Sequence, residues 1–417
     1  MNRRQLLQAA AGATAAQRAF SANPTASARS AAEVARDEDF WISVRDEFTT
    51  DRTVINLNNG YVSPAPRTVQ EAMRRYLDYS NMGPYHTMVR ELYPRIATAR
   101  RMIADVAGVS ADEIALTRNS SEALEIAQLG LNLKPGDEVV TTNQDYPRML
   151  TTYQQRERRD GIKLKMISFP VPVVSPDDLY RRFEEAITPR TRVVHFCHIT
   201  NRTGVIFPVR RICDMARARG ITTIVDGAHA FSQFPFRISD LNCDYYGVSL
   251  HKWTFAPVGT GFLYVRKSRI KDTWPLMAAD AREDESARKF EESGTFPAAN
   301  LLAICEAITF NENIGLDRKA ERLRYLRQRW SDRLASNPKV KILHNDTPDL
   351  ACGIGMLATV NAEASKLVSG LQAKHAIYTA LMGHEEYTGI RITPSVYTTV
   401  QEIDYFAHAV ETELKLL

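Results

Sequence analysis

The chain is short of the features that mark several protein classes. Its 417 residues include five cysteines, Cys197, Cys213, Cys243, Cys305 and Cys352, and none lies in a C-x-x-C pair. An odd count in a chain this long argues against a disulfide framework, and the spacing supports no zinc site; small buried apolar thiols are the expectation. No run approaches the ~20 apolar residues needed to cross a bilayer, so no membrane span is expected. Charged residues make up 24% of the chain and the net charge is +4, of which Arg3, Arg4 and Arg18 supply three, leaving about +1 for the rest. That balance excludes a basic nucleic-acid-binding surface. Internal repeats are absent, and so is low-complexity sequence beyond the first 28 residues.

What is present is ample apolar material: 44% hydrophobic residues can bury a large core, enough for one large and one smaller domain. The N-terminus stands apart. Asn2-Arg3-Arg4-Gln5-Leu6-Leu7 leads into an alanine-rich, weakly apolar run to about Ala16, and Ala26-Ser27-Ala28 gives a small-x-small cleavage pattern. The layout is that of a secretory signal of the twin-arginine kind over residues 1–28, against the plainer reading of a disordered alanine-rich tail. A signal of this kind predicts passage through the twin-arginine export machinery to the periplasm; without it the protein is cytoplasmic.

From residue 54 to 250, strands alternate with helices, which predicts βαβ units and a mainly parallel sheet. An amphipathic helix is expected within 31–50, a short strand at 54–57, helices over 67–79 and 93–107, and a loop over 82–86 between them. The charged stretch 278–292 reads as a mobile loop, long amphipathic helices follow over 298–336, and strands near 340–343 and 354–360 open a smaller α+β unit.

In parallel sheets ligands gather at the carboxyl ends of strands. Polar clusters sit at several of those ends: Asn119-Ser120-Ser121-Glu122 after 113–117, Asp145-Tyr146 after 138–142, Asn201 after 192–199, Asp226-Gly227-Ala228-His229 after 222–225, and Ser249-Leu250-His251-Lys252 after 245–248. Each admits a plain reading as caps and solvated loops. Ser120 and Ser121 at a helix start suit either a cap or an anion cradle built from free N–H groups and the helix dipole; no Walker or G-x-G-x-x-G loop stands there to name a nucleotide. Lysine at a strand end is the residue type that forms a Schiff base with an aldehyde. Arg391, on the apolar strand Gly389-Ile390-Arg391-Ile392-Thr393, needs an anion if buried, supplied either by a structural ion pair or by a substrate carboxylate. The Asn-rich turn containing Asn59 also offers amides to a pocket.

In this order the motifs Thr-Arg-Asn-Ser-Ser-Glu-Ala, Asn-Arg-Thr-Gly-Val-Ile-Phe-Pro, Val-Asp-Gly-Ala-His-Ala and Ser-Leu-His-Lys-Trp resemble the class V aminotransferase family of fold-type I pyridoxal-phosphate enzymes. Within it they look most like the isopenicillin N epimerase-like branch, which includes a periplasmic pyoverdine-tailoring member. The resemblance spans roughly residues 50–400. It implies an α/β fold with a seven-stranded-type, mainly parallel sheet over 51–275, a helical arm over 29–50 and a small domain over 276–417.

It also implies pyridoxal 5'-phosphate as cofactor, with Lys252 as Schiff-base lysine and proton carrier at the substrate Cα and Asp226 paired with the pyridine nitrogen. Asn119, Ser120, Ser121, Ser249 and His251 fall at the phosphate, Tyr146 stacks on the ring, Asn201 bonds the phenolic oxygen and His229 lies beside the ring. Thr295 reaches the phosphate of a neighbouring subunit, making a homodimer, and Arg391 binds the substrate α-carboxylate; Asn59, read from its turn, is a further substrate-binding candidate. The substrate implied is an amino acid or peptide-like small molecule. Desulfurases of the family carry a nucleophilic cysteine shortly before the substrate arginine, and Cys352 lies far upstream of Arg391, so desulfuration is disfavoured. Transamination in the periplasm is the leading expectation. An epimerase, which needs a second acid/base (candidates Tyr85, His86 and His384), a lyase, and a non-catalytic binder of the cofactor or another anion remain as alternatives.

Overall fold

The computed structural model describes residues 29–417, and the expected export signal lies outside the described residues. Two short helices, Ala31–Ala35 and Glu38–Arg45, begin on side-chain caps from Ser30 and Asp37. They bury Val34, Phe40, Trp41 and Val44 together with Phe48 against Phe255, Phe310 and Tyr397.

After β1 (Ile55–Asn56) the chain builds a seven-stranded sheet from β2 (Ile114–Thr117), β3 (Glu138–Thr142), β4 (Lys163–Ile167), β5 (Thr191–Cys197), β6 (Thr222–Asp226), β7 (Tyr245–Ser249) and β8 (Gly261–Val265). The order is β2-β8-β7-β6-β5-β3-β4, with β8 antiparallel to both neighbours and every other pairing parallel. All residues of β2, β3, β6, β7 and β8 are buried, as a sheet covered by helices on both faces requires. β7 and β8 pair as an antiparallel hairpin. Gly261 permits it: a Cβ there would lie 2.5 Å from the Val248 carbonyl oxygen and 2.7 Å from Asn119 Cα, so only glycine lets the turn after β2 press against β8.

The C-terminal part holds a four-stranded antiparallel sheet of β9 (Val340–Ile342), β10 (Gly355–Thr359), β12 (Ala380–Gly383) and β13 (Thr388–Ile392), ordered β12-β13-β10-β9. Helices Leu316–Ala335, Ala364–His375 and Val400–Leu416 cover it around Trp330 and Phe406. β1 pairs in parallel with β11 (Ile377–Tyr378), and Asn58 bridges to Thr393. Residues 55–58, grouped by sequence with the large unit, therefore hydrogen-bond into the C-terminal one. Leu57 explains the choice: it is fully buried among Leu326, Trp330 and Ile392.

Two loop expectations need correction. Residues 82–86 are not all loop, because a wide π-helical segment begins at Tyr85 and runs to Leu92. The stretch 278–292 is packed, with Ala287 and Phe290 buried. Glu291 turns inward there, taking Arg100 Nη2 at 2.7 Å and the Leu116 N–H at 2.9 Å. Glu291 thus pins the end of the stretch to the body of the protein, while Arg282 pairs with Asp280 on the surface. The helix Pro147–Asp160 was not expected; its 14 residues carry little apolar periodicity, and proline at its start supplies the signal that was overlooked.

Candidate active site

Adjacent strands bring the site together. β6 and β7 are in register at Asp226 and Gly247, and β5 meets β6 at Cys197 and Asp226, so their carboxyl ends form one edge. Lys252, three residues beyond β7, places Nζ 3.3 Å from His229 Nε2. The turn after β6 is tight because Gly227 lies against Tyr246, whose ring would meet a Cβ at 1.9 Å. That contact lets the Asp226-to-His229 turn fold back over the strand ends.

Burial sets the electrostatics. The ammonium of Lys252 is pushed down to about 8 by burial, with the Asp226 carboxylate opposing and Arg391 adding to the fall. Asp226 is 5% exposed and is pushed up to about 6 by burial, against the pull of Lys252; its Oδ1 accepts the Ala228 N–H at 2.9 Å. No cationic side chain among the described residues lies within ion-pair distance of it. A buried carboxylate in that condition suits a cationic ligand group such as a protonated ring nitrogen.

Arg391 presents the opposite case. It is 3% exposed, and its partners are neutral: the Asn201 carbonyl oxygen at 2.8 Å and the Asn58 side-chain oxygen at 2.7 Å, with Nε left unpartnered. Among the described residues no carboxylate pairs with it, which removes the structural ion pair and leaves an anion from outside the chain. Asn201 Oδ1 and His251 Nδ1 are likewise buried without a partner. At the helix start, Asn119 Oδ1 caps the Glu122 N–H at 3.0 Å, while Ser249 Oγ accepts the Ser120 N–H and donates to Ser120 Oγ, each at 2.9 Å. Ser121 is half-buried on the same turn. Tyr146 ends the loop after β3, its phenol accepting from Arg148 Nε at 3.2 Å. A phosphate-bearing aldehyde with a basic ring nitrogen suits these groups together: hydroxyls and a helix N-terminus for the phosphate, Lys252 for the aldehyde, Asp226 for the ring cation.

Two expected site residues stand elsewhere. Asn59 is fully buried and spent internally: Oδ1 accepts from the Tyr397 hydroxyl (2.5 Å) and Asn56 Nδ2 (3.1 Å), while Nδ2 donates to the Asn56 and Thr393 carbonyls at 3.0 Å. The amide that reaches Arg391 is its neighbour Asn58. Thr295 is exposed on the loop before helix Ala298–Leu302 and meets none of these residues within one chain. The suggested second acid/bases are not assembled either. Tyr85 is 68% exposed, His86 pairs with Glu91 on the surface, and His384 uses Nδ1 to accept the Glu386 N–H and Nε2 to reach the Asn143 carbonyl.

Sequence reasoning also missed Lys319. This fully buried lysine donates to the Trp253 carbonyl and to Asn311 Oδ1 (2.6 Å), and lies 4.0 Å over the Phe255 ring. Asn311 in turn donates to the Thr254 carbonyl at 2.8 Å. Together they clamp the turn that follows Lys252, in which Phe255 sits at φ 62°, a left-handed conformation costing about 1–2 kcal/mol for a side chain of this kind. Nothing in the sequence separates Lys319 from the other basic residues of its amphipathic helix. Lys319→Met leaves two buried carbonyl oxygens without donors, so a loss of about 1–3 kcal/mol is expected, read as a lower urea midpoint at unchanged m. An unchanged midpoint removes the clamp from the account.

Asp226 carries a further prediction. A folded-state pKa near 6, above the ordinary 3.8, means the native apoprotein binds a proton that the unfolded chain releases, so stability falls as pH rises from about 4 to 6. Asp226→Asn abolishes that slope. The variant apoprotein should gain on the parent by about 3 kcal/mol over this window; parallel denaturation curves at pH 4 and pH 8 test it, and equal slopes would contradict it.

Fold and site together define a pyridoxal-phosphate enzyme of the fold-type I class. The chain belongs to the class V aminotransferase family, whose model matches residues 55–406. It is 30% identical over 388 residues to the isopenicillin N epimerase of Streptomyces clavuligerus, covering 89% of this chain and 98% of that protein. The corresponding protein of Amycolatopsis lactamdurans is 27% identical, with the same coverage of both chains. Among solved structures, the apo cysteine desulfurase of Thermococcus onnurineus NA1 superposes with a TM-score of 0.79 at 25% identity, covering 91% of this chain and 98% of that one. Pyridoxal 5'-phosphate is the cofactor and an amino acid the class of substrate.

Proposed function

We propose that the protein transaminates an amino acid or the amino-acid moiety of a peptide-like metabolite. The observation that carries substrate binding is the buried Arg391 without an anionic partner: two of a guanidinium's five N–H donors are held by Asn201 and Asn58, and the rest are free for an α-carboxylate. Bound pyridoxal phosphate supplies the electron sink that lets a bond at the substrate Cα break. Lys252, as a free amine, would take the Cα proton and pass it, on its own face, to the carbon of the cofactor's former aldehyde, and Asp226 would stabilise positive charge at the ring nitrogen. Transamination needs only this one proton carrier, and the failure of Tyr85, His86 and His384 to gather beside Lys252 supports it.

Epimerisation is the second reading, favoured by the two relatives that bear that name. It requires a donor on the face opposite Lys252. Sulfur abstraction has less support, since the hairpin β12–β13 preceding Arg391 holds no cysteine, and Cys352 is buried with its thiol pushed up to about 11 by burial. Incubating the holoenzyme with L-amino acids in D2O separates these readings. Transamination yields keto acid and stalls without an acceptor keto acid. Epimerisation yields D-isomer deuterated at Cα with no keto acid. Alanine or elemental sulfur from cysteine would overturn both.

Periplasmic placement and dimerisation belong to the same proposal. Residues 1–28 fused to a reporter should export it, and Arg3→Lys with Arg4→Lys should retain it in the cytoplasm. Sedimentation of the holoenzyme should give twice the chain mass, and a monomer with full activity would remove Thr295 from the site.

A further inference from the structure

The indole of Trp253, the residue after Lys252, is fully buried and directs Nε1 at His229 Nδ1, 3.4 Å away. An indole nitrogen only donates, so Nδ1 must be the lone-pair nitrogen of the ring. A neutral imidazole then carries its proton on Nε2, the nitrogen 3.3 Å from Lys252 Nζ. That N–H points at the amine. It is satisfied by a free amine, which offers a lone pair, and opposed by an ammonium, which has only donors. Were Lys252 to donate instead, the ring would have to move its proton to Nδ1, against the indole N–H.

We propose that Trp253 is a positioning residue: its indole N–H holds His229 in the Nε2–H tautomer, and the imidazole thereby keeps Lys252 a free, nucleophilic amine. The groups facing this pair act consistently. Burial pushes His229 far below its ordinary value, with Lys252, Arg391 and His251 adding to the fall, so the ring stays neutral. Asp226 and Cys197 draw a proton towards Lys252, while burial and Arg391 oppose them. The indole itself cannot turn away easily. Its backbone carbonyl is held by Lys319, and its ring packs among Ile199, Ala230, Leu323 and Ile354.

The inference rests on the reading of Lys252 as the cofactor lysine, but its first test does not. Nitrogen-15 histidine spectra of the apoprotein, with His229 assigned by its loss in His229→Gln, should show a neutral ring protonated at Nε2. Trp253→Phe, which keeps an aromatic ring and deletes the N–H, should convert that signal to a mixture or to the Nδ1–H form. The second readout is the rate at which apoprotein captures pyridoxal phosphate. Losing one hydrogen bond of this kind should slow Trp253→Phe about three- to tenfold at pH 7 and leave the rate at pH 10 unchanged, because Lys252 is then deprotonated in both proteins. A merely structural defect slows both. A wild-type His229 protonated at Nδ1, or an unaltered tautomer in Trp253→Phe, overturns the proposal. Failure of the wild type to capture the cofactor at any pH would instead overturn the function, with the tautomer result standing.

Discussion

Lys252→Ala should yield a folded protein that shows no visible absorbance from covalently held cofactor and whose turnover falls by more than about a thousandfold. Two functions are lost at once, the nucleophile that captures the aldehyde and the base that moves the Cα proton, and proton transfer alone contributes roughly 10²–10⁴ in rate. The amine is prepared for both: burial brings its pKa to about 8, so a useful fraction is free base near neutrality. Capture of the cofactor by the parent apoprotein should accordingly accelerate as pH rises through about 8 and then level off. Thermal denaturation of the variant separates the intended loss from unfolding, because among the described residues the half-buried Lys252 side chain bonds only His229. Retained absorbance in Lys252→Ala would move the covalent site to another lysine.

Arg391→Met should raise KM for amino-acid substrates about 30- to 1,000-fold with a smaller effect on kcat. Removing a guanidinium from a buried carboxylate costs about 2–4 kcal/mol, and the interaction holds the carboxylate equally in ground and transition states. Stability should move the other way. Arg391 is a desolvated cation with no anion among the described residues, so methionine of similar volume should leave the apoprotein as stable as the parent or more so. The pairing of weak substrate binding with undiminished stability is the signature of a functional arginine. Loss of 3 kcal/mol or more in the apoprotein would show that Arg391 is structural, and an unchanged KM would show that it does not meet the substrate.

Much of this site was legible because the polar residues stand where the βαβ pattern breaks. Asp226, Asn201, Tyr146 and Lys252 each follow a short β-branched or aromatic run, and a parallel sheet delivers such positions to one edge. Strands β3 and β6 formed where they were expected for the same reason: continuous buried runs between turn residues have few alternative partners. What was hidden depends on contacts between distant segments. Asn58 and Asn59 are indistinguishable as a pair of amides; only the bridge from Asn58 to Thr393 sends one side chain to Arg391 and seals the other beneath Tyr397. Lys319, 67 positions from Lys252, becomes a clamp because helix Leu316–Ala335 packs beneath the turn that holds Trp253. The charged stretch 278–292 looked loose because the partner of Glu291, Arg100, lies almost two hundred residues away. Periodicity reports a residue's own helix or strand, and says nothing about which remote surface will meet it.

The account as a whole rests on Lys252 holding the cofactor, and reduction tests that directly. Holoenzyme treated with sodium borohydride fixes the lysine–cofactor bond as a secondary amine, and proteolysis with mass spectrometry locates it. The expected product is a single phosphopyridoxyl adduct on the peptide containing Ser249-Leu250-His251-Lys252-Trp253. An adduct on any other lysine, or none on protein that carries the cofactor, would contradict the assignment of this strand end as the catalytic centre.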